Sequence, residues 1–122
     1  MKLNDQDKIC RSCYRKIEYR KKWESCWDEI KYCSDECKKN KFKYDYTESL
    51  LKLTQERGFQ KTICPSEVLE GEDKKNKSLM ELVRRSARKL AFENKIEILQ
   101  NNKIVPFYDY KGPIRLRIKK SN

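Results

Sequence analysis

Two pairs of cysteines, Cys10-x2-Cys13 and Cys33-x3-Cys37, constrain this chain more than any other feature. A C-x2-C turn presents two thiolates from one tight loop. Positions four apart lie on the same side of a helix. Ser34 and Asp35 are good helix-start residues, and a helix N-terminus favours thiolate. Two such pairs complete a tetrahedral four-cysteine site, which folds modules too small for a core. Cys10, Cys13, Cys33 and Cys37 are therefore the expected ligands of one Zn²⁺ ion. The ion is expected to be structural, because four thiolates leave no open position. An iron–sulfur cluster is the alternative. Cys26 stands between the pairs in Trp23-Glu24-Ser25-Cys26-Trp27. It could replace a ligand, but small buried thiols are common and packing is the favoured reading.

The 122 residues are 37% hydrophobic and 40% charged, too polar for one well-filled core. Two small modules are expected instead: residues 1–45, the cysteine knuckle with a basic linker at Lys38–Asp45, and residues 46–122. Trp23 and Trp27 should cover the metal. Stacking of an exposed aromatic on nucleic acid beside Arg20, Lys21 and Lys22 is the alternative. Ile17–Tyr32 reads as a hairpin or extended loop. Apolar runs are too short for a membrane span, and Met1–Asp7 lacks a signal peptide's apolar stretch. The expectation is a cytoplasmic protein with reduced thiols and no membrane contact.

The second module opens with a helix from Thr47 to about Arg57, stopped by Gly58. Pro65 and Glu67 start a short second helix after Cys64. A third helix runs from about Ser78 to Glu93. Leu79, Leu82, Val83, Ser86, Ala87 and Leu90 form its inner face, with Arg84, Arg85 and Arg88 opposite. Asn101-Asn102 joins strands Ile96–Gln100 and Lys103–Val105 in a tight hairpin. Ile114, Leu116 and Ile118 then alternate with Arg115, Arg117 and Lys119 as a half-buried strand. The class is α+β: a small treble-clef-like zinc knuckle followed by a winged helix-turn-helix.

Charge is unevenly spread. The chain holds 30 Lys and Arg against 19 Asp and Glu, a net +11. Residues 74–122 hold 14 basic and 4 acidic side chains. An anionic partner should dock there. The expected function is nucleic-acid binding, DNA over RNA. Arg84, Arg85 and Arg88 would lie on a recognition helix, with Lys95, Lys103, Arg115, Arg117, Lys119 and Lys120 on or beside the wing. A protein adaptor or an RNA- or ribosome-associated factor is the alternative. No histidine is present, which excludes the common histidine-based acid–base and triad chemistries. No glycine-rich phosphate loop or recognisable carboxylate pair appears, so neither an enzyme nor a small-molecule substrate is expected. Cys26 and Cys64 each lack a C-x2-C partner of their own.

Several strings resemble a family of uncharacterised bacterial proteins that joins two domains of unknown function. They are Arg20-Lys21-Lys22-Trp23, Trp27 to Ser34, Cys37, Lys61 to Val68 and Gly112 to Arg117. The resemblance covers Lys8 to Ile118. It implies a short zinc-knuckle domain followed by a compact winged-helix-like domain, and it brings no activity. This chain departs from the family pattern twice. Lys74–Lys77 stands where a Trp is usual, and Asn94 where a Gly precedes the hairpin. Asn tolerates the same left-handed conformation.

Overall fold

The computed structural model describes residues 6–39 and 46–119. The expected linker falls largely on residues 40–45, which lie outside the described residues, as does Lys120.

The first unit is built around turns. Strands β1 (Lys8–Ile9) and β2 (Lys16–Ile17) pair antiparallel, Lys8 opposite Ile17 and Ile9 opposite Lys16. The turn between them carries the first two cysteines and is closed by Cys10 N–H donating to the Arg15 carbonyl at 2.8 Å. Tyr14 takes a positive φ of 60° to complete it. Two 3-10 turns follow, Lys21–Trp23 and Trp27–Glu29, where a hairpin or extended loop was expected. Helix α1 (Asp35–Lys39) follows Cys33. Ser34 Oγ accepts from the Cys37 amide at 3.2 Å and so caps it.

The second unit is a helical pair on a three-stranded sheet. Helix α2 (Thr47–Arg57) ends as expected at Gly58, whose φ of 94° suits a residue without a side chain. Helix α3 spans Lys77–Phe92, with Asn76 Oδ1 accepting from the Ser78 and Leu79 amides. The segment from Pro65 makes only a 3-10 turn, Pro65–Val68, rather than a full second helix. Strands β3 (Ile96–Gln100), β4 (Lys103–Ile104) and β5 (Arg115–Ile118) pair antiparallel in the order β4-β3-β5. Asn101 and Asn102 have φ of 53° and 65°, as a type I′ turn requires. Ile63 adds one rung to the free side of β5 through two 2.8 Å bonds with Leu116. Leu50, Ile63, Val83, Leu90, Ile98 and Leu116 are at the centre of the core that these elements enclose. The architecture is α+β, with the cysteine cluster at the N-terminal end.

The two units pack against each other. Lys16 donates its amide to the Tyr108 carbonyl at 3.1 Å and its ammonium to Asp109 at 3.1 Å. Tyr14 meets Phe92, ring centroids 5.5 Å apart, and Phe92 meets Phe107 edge-on at 5.9 Å.

Candidate metal centre

The Sγ atoms of Cys10, Cys13, Cys33 and Cys37 all lie within 4.8 Å of one another. Cys13 and Cys33 are 3.7 Å apart and Cys33 and Cys37 are 3.4 Å apart. A tetrahedral ion with 2.3 Å bonds to sulfur needs sulfurs roughly 3.8 Å apart. The four expected ligands therefore form one group that could hold a metal ion, and Cys26 is not among them. The turn supplies Cys10 and Cys13, and the start of α1 supplies Cys33 and Cys37.

The backbone is arranged for negative sulfur. Amides of Ser12, Cys13 and Cys33 all point at Cys10 Sγ, at 3.5, 3.5 and 3.4 Å. The Cys13 thiol, then these amides, hold the Cys10 thiol down at about 4 against the opposing pull of burial. Its neighbours go the other way. The hydrogen bond to Cys10, then burial, pushes Cys13 far up. Burial, then the bond with Cys37, pushes Cys33 up to about 11. Four clustered thiols cannot all ionise without a cation between them; a divalent ion removes that conflict. The donor set thus fits a thiophilic metal.

Cys10, Cys13 and Cys37 are buried, and Ile17 joins them. Trp23, Trp27, Ile30 and Tyr32 pack around this cluster, and the two Trp rings stack at 6.0 Å and 6°. Lys8 Nζ donates to the carbonyls of Trp27 and Ile30, tying the turns to β1.

Three of the residues expected to meet nucleic acid are engaged by other side chains of the protein. Arg88 is 0% exposed, which removes it from any docking surface. Its Nε donates to the Cys13 carbonyl, Nη1 to Tyr110 Oη at 2.8 Å, and Nη2 to Glu81 at 2.9 Å. Arg85 is half-buried and binds Glu81 at 3.2 Å and Ser12 Oγ at 3.3 Å. Arg117 is half-buried and paired with Glu97 at 3.0 Å. For the two arginines of α3 the physical reason is the first unit itself. It covers the outer face of α3, so Arg85 and Arg88 face protein where the helix alone would face water, whereas Arg117 is paired across the sheet with Glu97. Arg84 is half-buried beside a cleft, while Lys95, Lys103, Arg115 and Lys119 stay exposed. Arg115 donates to Thr62, and Lys119 donates to Asn94. The seam residues Ser12, Arg15, Lys16, Tyr108 and Tyr110 carry no periodic signal. The one hint is the Glu81, Arg85, Arg88 stripe, which sets a single acid four and seven residues before two arginines.

No helix among the described residues is long and apolar enough to cross a membrane. No curated protein matches the chain. Residues 1–40 match the family described as an uncharacterized protein conserved in bacteria (DUF2256). Residues 44–119 match the family described as a protein of unknown function (DUF3253). With that match spanning more than half its length, the chain belongs to the DUF3253 family, and a DUF2256 domain precedes the matched segment.

Proposed function

We propose that this is a small zinc-stapled nucleic-acid-binding protein that contacts duplex DNA in preference to RNA. Zinc suits four thiolates at this spacing and keeps the first unit folded. The treble-clef-like reading is supported by one cysteine pair on a turn and one at a helix start. The winged-helix reading is supported by the order α2, an extended Ile63 on β5, a 3-10 turn, α3, then the hairpin and β5.

The observation that carries the function is where the acids of the last third are spent. Glu81 is held by Arg85 and Arg88, Glu97 by Arg117, Asp109 by Lys16, and Glu93 lies 3.8 Å from Lys95. Lys74, Lys75, Lys77, Lys103, Lys111 and Lys119 are exposed with no acid in ion-pair range among the described residues. Such uncompensated charge suits phosphate backbones more than base edges. The contact surface is therefore the hairpin and its surroundings rather than the outer face of α3.

Fluorescence anisotropy across a salt series tests this, using zinc-loaded protein with duplex DNA, single-stranded DNA and structured RNA. Tight duplex binding with a steep salt slope is expected. Replacing Lys103 and Lys119 by Gln should reduce that slope by roughly one per lost phosphate contact. No binding at low salt, or RNA bound more tightly than duplex DNA, refutes the proposal as stated.

A further inference from the structure

The seam between the units opens into a positively charged cleft. Arg15 enters it from the knuckle turn, Arg84 from α3 and Lys111 from the segment before β5. With Glu81, Tyr110 and Gly112 they line a cavity of about 540 Å³. That is a volume small organic ligands occupy. Glu81 is the lining acid, and its Oε2 is already shared by Arg85 and Arg88. Arg15 spends one N–H on the Tyr110 carbonyl at 3.3 Å and lies 4.9 Å over that ring, two contacts that hold its guanidinium at the cleft. Among the described residues, Arg84 and Lys111 have no ion-pair partner.

Three cations around one recess repel each other, and a half-buried guanidinium has lost part of its water. An anion in the cleft offsets both costs. An arginine anchored beside an aromatic ring presents its remaining donors as a fork matched to oxyanions. We propose that this cleft binds a phosphate group, carried either by a phosphorylated small molecule or by a nucleic-acid strand. The assignment rests on the seam geometry and stands whether or not the exposed lysines bind DNA.

Isothermal titration of the full zinc-loaded chain at low ionic strength tests it, with inorganic phosphate, adenosine 5′-monophosphate and adenosine as probes. The monophosphate should bind, inorganic phosphate should compete with it, and adenosine should not bind. Arg84→Gln and Lys111→Gln should each weaken the monophosphate by roughly tenfold, and Lys52→Gln on the exposed side of α2 should not. Lys111 is exposed, so its variant keeps the test decisive if Arg84→Gln disturbs α3. A short oligonucleotide that displaces the monophosphate identifies a strand phosphate as the ligand. One that binds alongside it identifies the small molecule. Either result supports the site. Absence of binding by both phosphate probes overturns it, as does affinity within about twofold of wild type in both variants.

Discussion

Arg88→Ala tests whether the two units fold as one body. The Arg88 side chain is fully buried and makes three bonds. Its loss leaves the Cys13 carbonyl and the Tyr110 hydroxyl without this donor. A buried polar group left unpaired costs about 1–3 kcal/mol. Glu81 is 38% exposed and keeps Arg85, so its share is discounted to about 0–1 kcal/mol. These contributions come to about 2–7 kcal/mol, a range that brackets the roughly 3–5 kcal/mol for removing one partner of a buried pair. Total stability is only about 5–15 kcal/mol. The assay is urea unfolding of zinc-loaded protein, read by far-ultraviolet circular dichroism and by zinc release to a coloured chelator. In the wild type the two signals should coincide. In Arg88→Ala the midpoint should fall by about 1 M or more. Arg88→Lys should recover only part of this, because an ammonium cannot span three partners. A loss below about 1 kcal/mol would refute the reasoning, as would two separate transitions in the wild type.

Other predictions follow from the same geometry. Cys10→Ser and Cys37→Ser should each abolish stoichiometric zinc, whereas Cys26→Ser should retain it; elemental analysis of purified protein decides. Zinc uptake at neutral pH should release fewer than four protons, because Cys10, at about 4, has already lost its own, whereas Cys33, at about 11, has not. Titration in buffers of different ionisation enthalpy counts them. Glu67→Ala should cost about 1 kcal/mol, since Glu67 accepts from the Cys64 amide at 2.7 Å and pairs with Arg57 at 2.6 Å. Burial pulls the Glu67 carboxyl up, but the Cys64 amide and Arg57 together hold it below the usual range. Its contribution should be complete above the unfolded value near 4.3 and vanish as pH falls through the lower folded value. Urea midpoints of the two proteins should converge in acid.

The ends of α2, the Asn101-Asn102 turn and the pairing of cysteines within each motif were legible because each depends on residues close in sequence. Gly58 stops a helix by its own φ, and two thiols three apart meet whatever surrounds them. The alternation in β5 was legible for the same reason. Arg88 was not. Helical periodicity places a residue by its angle from the apolar stripe of its own helix. By that rule Arg88 faces solvent, whereas Tyr110 and Glu81 hold it from its own unit and the Cys13 carbonyl from the other. The knuckle turn that covers it lies 75 residues earlier in the chain. The 3-10 turns around Trp23, Trp27 and Pro65 were misread because three or four residues are too few to show a period.

The first unit sharpens why that buried arginine matters. Its buried set is three thiols, Ile17, Tyr14 and Ser12, which is too little apolar surface for a core. On the proposed function its stability comes from the zinc ion and from the seam. These two meet at Cys13, whose thiol belongs to the ligand group and whose carbonyl is held by Arg88. Coupling through one residue is reciprocal: the factor by which zinc strengthens the seam equals the factor by which the seam tightens zinc. Arg88→Ala should therefore weaken zinc binding, although Arg88 touches no sulfur ligand. A coupling of about 1–3 kcal/mol corresponds to roughly 5–150-fold in affinity. Competition with a chelator of known affinity measures it in both proteins. An unchanged zinc affinity in a folded Arg88→Ala protein would mean that the carbonyl contact holds the units together without steadying the ligand turn, and the coupling argument would fail.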